Sequence, residues 1–350
     1  MSFKKKVLFP LISLLLSGLF CILLMEGLLR IVQPQREVPR WLIPHARYGH
    51  FQRANFEQVY DYRHTNVTWR ARLNNLGLRG PDVDLARTDD RRILFVGDSF
   101  TFGYGLDEAF IFPTLVSEAL NRAGGRPWTV INAGVGGWGT LQQLAYAKDH
   151  LAEFRPDVVV LTFCDNDLQD DVIFARGKAT GLLPGFPGKR WLRDHSRLYP
   201  LIYARLAPLL YRDALAPEPA AGGAAVPEPA ARAMAAFQSN PDGPDLIVAW
   251  AQYWPRTLEA IREFHQLLLQ QNPQALLIMQ QAQPLRADIY AMLRQLDNGS
   301  SLRYLHLGEQ VEQWTDRNVL LPYDPHWHPA MHRLAADQLV EMLIARGDTP

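Results

Sequence analysis

Arg92-Ile93-Leu94-Phe95-Val96-Gly97-Asp98-Ser99-Phe100-Thr101-Phe102-Gly103 runs a short apolar strand directly into a serine with a glycine on either side. Residues 92–96 are apolar and β-branched enough for a strand buried on both faces, as in a parallel sheet. Gly97 and Gly103 let the backbone bend sharply around Ser99, which would lift its hydroxyl above the carboxyl end of the strand. Open α/β sheets place their ligands there. Taken alone, these residues also fit an ordinary strand-to-helix turn with Ser99 or Thr101 as an N-cap, so the rest of the chain has to discriminate.

Downstream, residues 112–123 are helical in period, 129–132 read as a short strand, 141–154 as a helix and 157–163 as a continuous Val/Leu strand. The alternation resumes with a helix at 254–271, a strand at 275–280, a helix at 287–295, a strand at 302–306 and a last helix at 329–346. Strand alternating with helix predicts an α/β fold, a parallel sheet with helices on both faces joined by right-handed crossovers. Between the two halves, residues 214–245 are rich in Ala, Pro and Gly and read as a mobile low-complexity insertion.

Lys4, Lys5 and Lys6 precede largely apolar residues 7–25, closed by Glu26 and Arg30. That length suits an uncleaved transmembrane helix, and Gly18-Leu19-Phe20-Cys21 suits neither a signal-peptidase nor a lipoprotein site. The lysines predict a cytoplasmic N-terminus, hence a single-pass protein with everything after Pro34 outside the cytoplasm. The expected organisation is a tip and anchor at 1–32, a stalk and lead-in at 33–90, and the main domain at 91–350. Within the lead-in, Arg79 reads as a structural hydrogen-bond donor, with substrate contact as the alternative. Composition adds exclusions: 36 basic against 36 acidic side chains leave no net field to attract nucleic acid. Cys21 and Cys164, one in the apolar run and one after a core strand, do not suggest a bridge.

Two further clusters fall at predicted strand ends, and a third lies just before the last helix. Asn132-Ala133-Gly134-Val135-Gly136-Gly137-Trp138-Gly139-Thr140 formally matches a dinucleotide fingerprint, but the acid expected at the end of the next strand is missing. A backbone N–H offered to a developing oxyanion is the better use of this loop. In Cys164-Asp165-Asn166-Asp167, Asn166 can donate its amide to the same oxyanion, or simply cap a loop between two solvated acids. In Asp324-Pro325-His326-Trp327-His328-Pro329-Ala330-Met331-His332, residues two apart face the same way in an extended segment, so Asp324 can orient His326 toward Ser99. His328 competes as the base, and Asp324, His326, His328 and His332 together offer a metal-site alternative.

In this order the four clusters resemble the SGNH (GDSL-like) hydrolase family over roughly residues 76–344. The resemblance implies a flavodoxin-like three-layer sandwich, with Ser99 as nucleophile, His326 as general base and Asp324 as its orienter. It further implies oxyanion donors at Ser99, Gly137 and Asn166, and a mechanism requiring neither metal nor organic cofactor. Cys164 stands where the family usually has glycine, and the Asp-to-His interval is two positions rather than the family's commoner three. The Asp-x-His-Trp form resembles envelope-localised branches acting on O-acetyl groups of bacterial polysaccharides. The expected function is therefore a serine esterase taking an acylated small molecule or polysaccharide. An O-acetyltransferase and a non-catalytic glycan-binding module are the alternatives.

Overall fold

The computed structural model describes residues 3–32, 40–62, 67–164, 244–282, 287–307 and 324–347. Shorter described pieces lie at 166–168, 170–171, 174–175, 191–192, 195–199, 202 and 320–321. Residues 214–243 of the expected insertion fall outside the described residues. The chain divides into two compact units, one of residues 1–40, 61–67 and 180–218 and the other of the remainder. The first holds helix α1 (Phe3–Val32), which from Phe9 to Val32 is long and apolar enough to cross a membrane. Its apolar side chains, Phe9, Leu15 and Ile22 among them, are exposed.

Among the described residues of the lead-in, 40–62 and 67–90, four short strands form. Strand β1 (Leu42–His45) pairs antiparallel with β2 (Gly49–Gln52), and β3 (Phe56–Tyr62) pairs with β4 (Val67–Leu73). Aromatic residues make this possible, because Trp41 stacks on Phe102 and meets Tyr60 and Trp69 edge-on, all of them buried.

The main sheet has five parallel strands, β5 (Arg91–Gly97), β6 (Trp128–Gly134), β7 (Val158–Phe163), β8 (Leu276–Gln281) and β9 (Leu302–Leu305), in the order β6-β5-β7-β8-β9. A short helix α2 (Ser99–Phe102) follows β5. Helices α3 (Phe112–Ala123), α4 (Thr140–Phe154), α5 (Pro244–Gln271), α6 (Ala287–Arg294) and α7 (Pro329–Ala345) complete the alternation. Period-two alternation along β5 separates the two cores. Leu94 and Val96 join a cluster with Leu144, Leu151 and Phe154 of α4 and Ile261, Phe264 and Leu268 of α5. Ile93 and Phe95 join another with Phe112, Val116 and Leu120 of α3 and Ala335, Leu339 and Leu343 of α7. Each such buried Val, Leu, Ile or Phe side chain contributes roughly 1.5–3 kcal/mol, which commits the sheet to helices on both faces. Helix α5 begins ten residues before the expected start at 254.

The strand order places β5 between β6 and β7, so the connections leaving it and returning past it run to opposite sides. The crevice this opens lies at the carboxyl end of β5, where Ser99 sits. Arg79 secures the far side of that turn. Its buried guanidinium donates to the carbonyls of Phe102 (3.0 Å), Gly103 (2.6 Å), Arg70 (3.2 Å) and Leu106, and lies over the Phe102 ring. Burial pulls its pKa down to about 10, without removing its charge at neutral pH. Arg79→Met leaves these acceptors without their donor and should cost about 3 kcal/mol or more, read as a lower midpoint in denaturant melts. An unchanged midpoint with a raised KM would instead make Arg79 a substrate contact.

Candidate active site

Ser99 opens α2, and Asp98 before it caps the helix by accepting the Phe100 N–H at 2.9 Å. The N-cap role considered for Ser99 therefore belongs to its neighbour. The Ser99 side chain is half-buried, and its Oγ lies 2.7 Å from His326 Nε2.

His326 reaches that position because of the residue after it. On strand β11 (Asp324–Trp327), which pairs with β10 (Leu320–Leu321), Trp327 is buried against Phe100, Phe112 and His332. Alternation then turns His326 the other way, between the rings of Phe100 and Tyr104, each 5.0 Å from it. The two other histidines are occupied elsewhere. His328 caps α7, accepting the Ala330 N–H on Nδ1 at 3.3 Å, and His332 accepts the Phe112 N–H at 3.2 Å inside the core. Burial lowers the His332 pKa to about 3, so its ring is neutral. Asp324 begins β11, two positions before His326.

The glycine loop after β6 passes beside Ser99. A Cβ on Gly136 would lie 3.6 Å from the Ser99 Cβ, and Gly137 beside it adopts a left-handed φ of 75° and is exposed. The N–H groups flanking this pair are spent within the fold, Val135 donating to Gly97 O and Trp138 to Val135 O. Close packing explains the spacing that imitates a dinucleotide fingerprint. A Cβ on Gly134 would come within 2.3 Å of the Phe102 nitrogen, and one on Gly139 within 2.4 Å of an Asp171 carboxylate oxygen. The β1–β2 hairpin buttresses the loop from outside, since His50 Nε2 donates to Gly136 O (2.9 Å) and Gln52 Nε2 to Gly134 O (2.7 Å). Burial keeps the His50 pKa below the usual imidazole range.

Asn166 is half-buried and donates its amide to Asp170 Oδ2 at 2.8 Å. One amide hydrogen is held this way, so the other is oriented by the same bond. Of the two flanking acids, Asp167 is buried rather than solvated, and Asp165 lies outside the described residues. Asp98, Asp167 and Asp171 are buried, with Asp167 Oδ2 accepting from the Thr140 hydroxyl and the Gln143 amide, each at 3.3 Å. Asp171 accepts from Leu141 N (2.7 Å) and the Thr257 hydroxyl (2.6 Å). Burial raises the carboxyl pKa values of Asp98 to about 6 and Asp171 to about 7, and raises those of Asp167 and Asp170 as well. Cys164 is fully buried with Phe100 and Trp327, so its side chain fills core volume.

Residues 95–334 match the family model described as GDSL-like Lipase/Acylhydrolase, over two thirds of the chain. The chain belongs to this family of ester hydrolases. Its sheet and flanking helices are the SGNH-like fold. Similar solved structures include TesA, at 14% identity over 72% of this chain and 98% of that one, with a TM-score of 0.41. Clostridium thermocellum family 3 carbohydrate esterase is 15% identical over 75% of this chain and 100% of its own, with a TM-score of 0.40. A two-domain esterase active on acetylated mannans is 13% identical over 73% of this chain and 49% of its own, with a TM-score of 0.40. No curated protein matches the sequence.

Ser99, His326, Gly137 and Asn166 all lie in the family-matched region. Sequence reasoning missed Asp170 and His50. Asp170 stands four residues after Asn166, a helical spacing that could have revealed it, whereas His50 is joined to Gly136 only through the tertiary fold. The raised carboxyl pKa values have a measurable consequence. Each group binds its proton more tightly in the folded chain, so its contribution to stability is full below about pH 4 and is lost as pH rises through its folded-state value, about 6 for Asp98 and about 7 for Asp171. Asp167→Asn keeps an oxygen for Thr140 and Gln143 while removing one titration. It should flatten the fall in melting temperature between about pH 4 and about pH 7, and a steeper fall would refute this account of the cluster.

Proposed function

We propose that this GDSL-like hydrolase is a membrane-anchored serine esterase whose domain faces away from the cytoplasm and removes small acyl groups, chiefly acetyl, from a polysaccharide or small-molecule ester. One observation carries the reading: the 2.7 Å approach of His326 Nε2 to Ser99 Oγ across 227 residues of sequence. In the proposed mechanism the Ser99 proton passes to His326 Nε2 as Oγ attacks the ester carbonyl, with Asp324 orienting the imidazole. The oxyanion is received by the backbone N–H groups of Ser99 and Gly137 and by the Asn166 amide. Collapse transfers the proton from His326 to the departing alcohol and leaves acyl-Ser99. Water, activated by the same imidazole, attacks the acyl carbon, releasing the acid and restoring the serine.

The acetyl preference rests on the Asp-x-His-Trp pattern at Asp324, His326 and Trp327. The anchor rests on the apolar helix and the lysines before it. It is further supported by Glu26 and Arg30, which bond to residues 195–198, contacts that removal of the helix would abolish.

Ser99→Ala should abolish labelling by a fluorophosphonate, and His326→Ala should slow it strongly. Asn166→Ala should lower ester turnover by about 100-fold or more, the usual cost of one oxyanion donor. His328→Ala should act mainly on stability, since its ring caps α7. If His328→Ala slowed labelling more than His326→Ala, the base would move by two residues. Adding a glycan acceptor to the acetyl-ester assay separates hydrolysis from transfer: an esterase releases acetate at an unchanged yield, whereas a transferase acetylates the acceptor.

A further inference from the structure

The contacts of Glu26 and Arg30 lie at a particular depth. Residues 7–25 rise about 28 Å as an α-helix, close to the roughly 30 Å hydrocarbon thickness of a bilayer. Glu26 and Arg30 are the charged residues of the apolar stretch Phe9–Val32, and the cost of burying charge in hydrocarbon draws them, in an anchored chain, to its outer boundary. There the Glu26 carboxylate accepts the Ser196 hydroxyl at 2.9 Å and the backbone N–H groups of Arg197 (2.8 Å) and Leu198 (3.0 Å). Arg30, one turn further along α1, holds Glu26 at 2.9 Å and donates to the His195 carbonyl at 2.7 Å. Both sides of this clamp belong to the same compact unit.

The clamped segment carries groups suited to a headgroup layer. His195 Nδ1 donates to the Trp191 carbonyl at 2.9 Å, and the two rings stack at 5.0 Å. Trp191 is nevertheless 62% exposed, and Ile202 is 45% exposed. An exposed indole at the level of a helix's outer hydrocarbon boundary is the arrangement by which tryptophan anchors proteins at membrane interfaces. In sequence Lys189, Arg190, Arg193 and Arg197 surround it, against a single acid, Asp194. Such a mixture of aromatic, aliphatic and basic residues complements anionic phospholipid headgroups.

Resting on the anchor reading, the geometry points to a second membrane contact: Trp191, His195, Arg197 and Ile202, fastened to the outer end of α1 by Glu26 and Arg30, dock on the anionic headgroup layer of the same bilayer. The segment belongs to the connection between β7 and α5, near whose start Asn166 stands. A candidate oxyanion donor and the membrane contact are therefore carried on one stretch of chain.

The test uses the full chain reconstituted into vesicles of phosphatidylcholine and phosphatidylglycerol carrying bromine at a shallow acyl position. Flotation after an alkaline wash first establishes that the chain is anchored. Tryptophan quenching is read in a Trp250→Phe, Trp314→Phe background, where it reports on depth because Trp41, Trp69, Trp128, Trp138, Trp254 and Trp327 are buried in protein whereas Trp191 is exposed. Trp191→Phe should remove at least half of the shallow-bromine quenching, Glu26→Gln should weaken it, and omitting phosphatidylglycerol should lower it. Equal quenching in wild type and Trp191→Phe, with both proteins still floating, would overturn the headgroup contact while leaving the anchor intact. Unchanged quenching in Glu26→Gln would overturn the clamp, and unchanged quenching without phosphatidylglycerol would overturn the anionic preference. Failure of the wild type to float would remove the anchor reading, and this inference with it.

Discussion

The reversal of strand order at β5 is the constraint from which the rest follows. With β6 on one side of it and β7 on the other, the β5–α3–β6 and β6–α4–β7 connections bury their helices on opposite faces, and the sheet parts at the carboxyl end of β5. A serine there is carried on a strand buried on both faces, so its backbone is held by the core. The glycine loop after β6 and Asn166 after β7 start from the two neighbouring strand ends. Parallel register alone brings the loop beside Ser99, since Gly97 pairs with Gly134.

What the sheet assembles, polar contacts then hold in place. Arg79 ties together the carbonyls of the Ser99 turn, and His50 and Gln52 bind those of the glycine loop. Asp170 holds the Asn166 amide. These are bonds from side chains to a neighbouring backbone or amide, each fixing one degree of freedom of a group near Ser99. The cost is a set of buried carboxyls with raised pKa values. Fixed dipoles around a reacting carbonyl are what electrostatic catalysis requires, because they need not reorganise as charge develops.

Much of this was legible in the sequence. The short apolar runs at 92–96 and 157–163, bounded by turn residues and rich in β-branched side chains, read as buried strands, and the helices between them follow from their apolar period. The antiparallel lead-in was less visible, although Trp69, Ala71 and Leu73 alternate with exposed residues along β4. Aromatic richness and three early prolines obscured that pattern. The early start of α5 carried a signal as well, a proline at its first position. The identity of the histidine facing Ser99 was different in kind. His326 and His328 share a strand face by parity, and what separates them is the approach of His326 to Ser99 and the start of α7, which takes His328 as its cap. Nor does sequence distinguish a buried aspartate from a solvated one, which is why the acids around Asn166 read as surface.

The central claim is that Ser99 attacks a carbonyl whose oxyanion is received by the Gly137 N–H and the Asn166 amide. A crystal structure of the chain inactivated by a small alkyl phosphonate tests it most directly, because the phosphoryl oxygen occupies the place of the oxyanion. The account predicts phosphorus bonded to Ser99 Oγ, with that oxygen within hydrogen-bond distance, about 2.7–3.1 Å, of both donors. Phosphorus on another residue, or an oxygen turned away from Gly137 and Asn166, would contradict it.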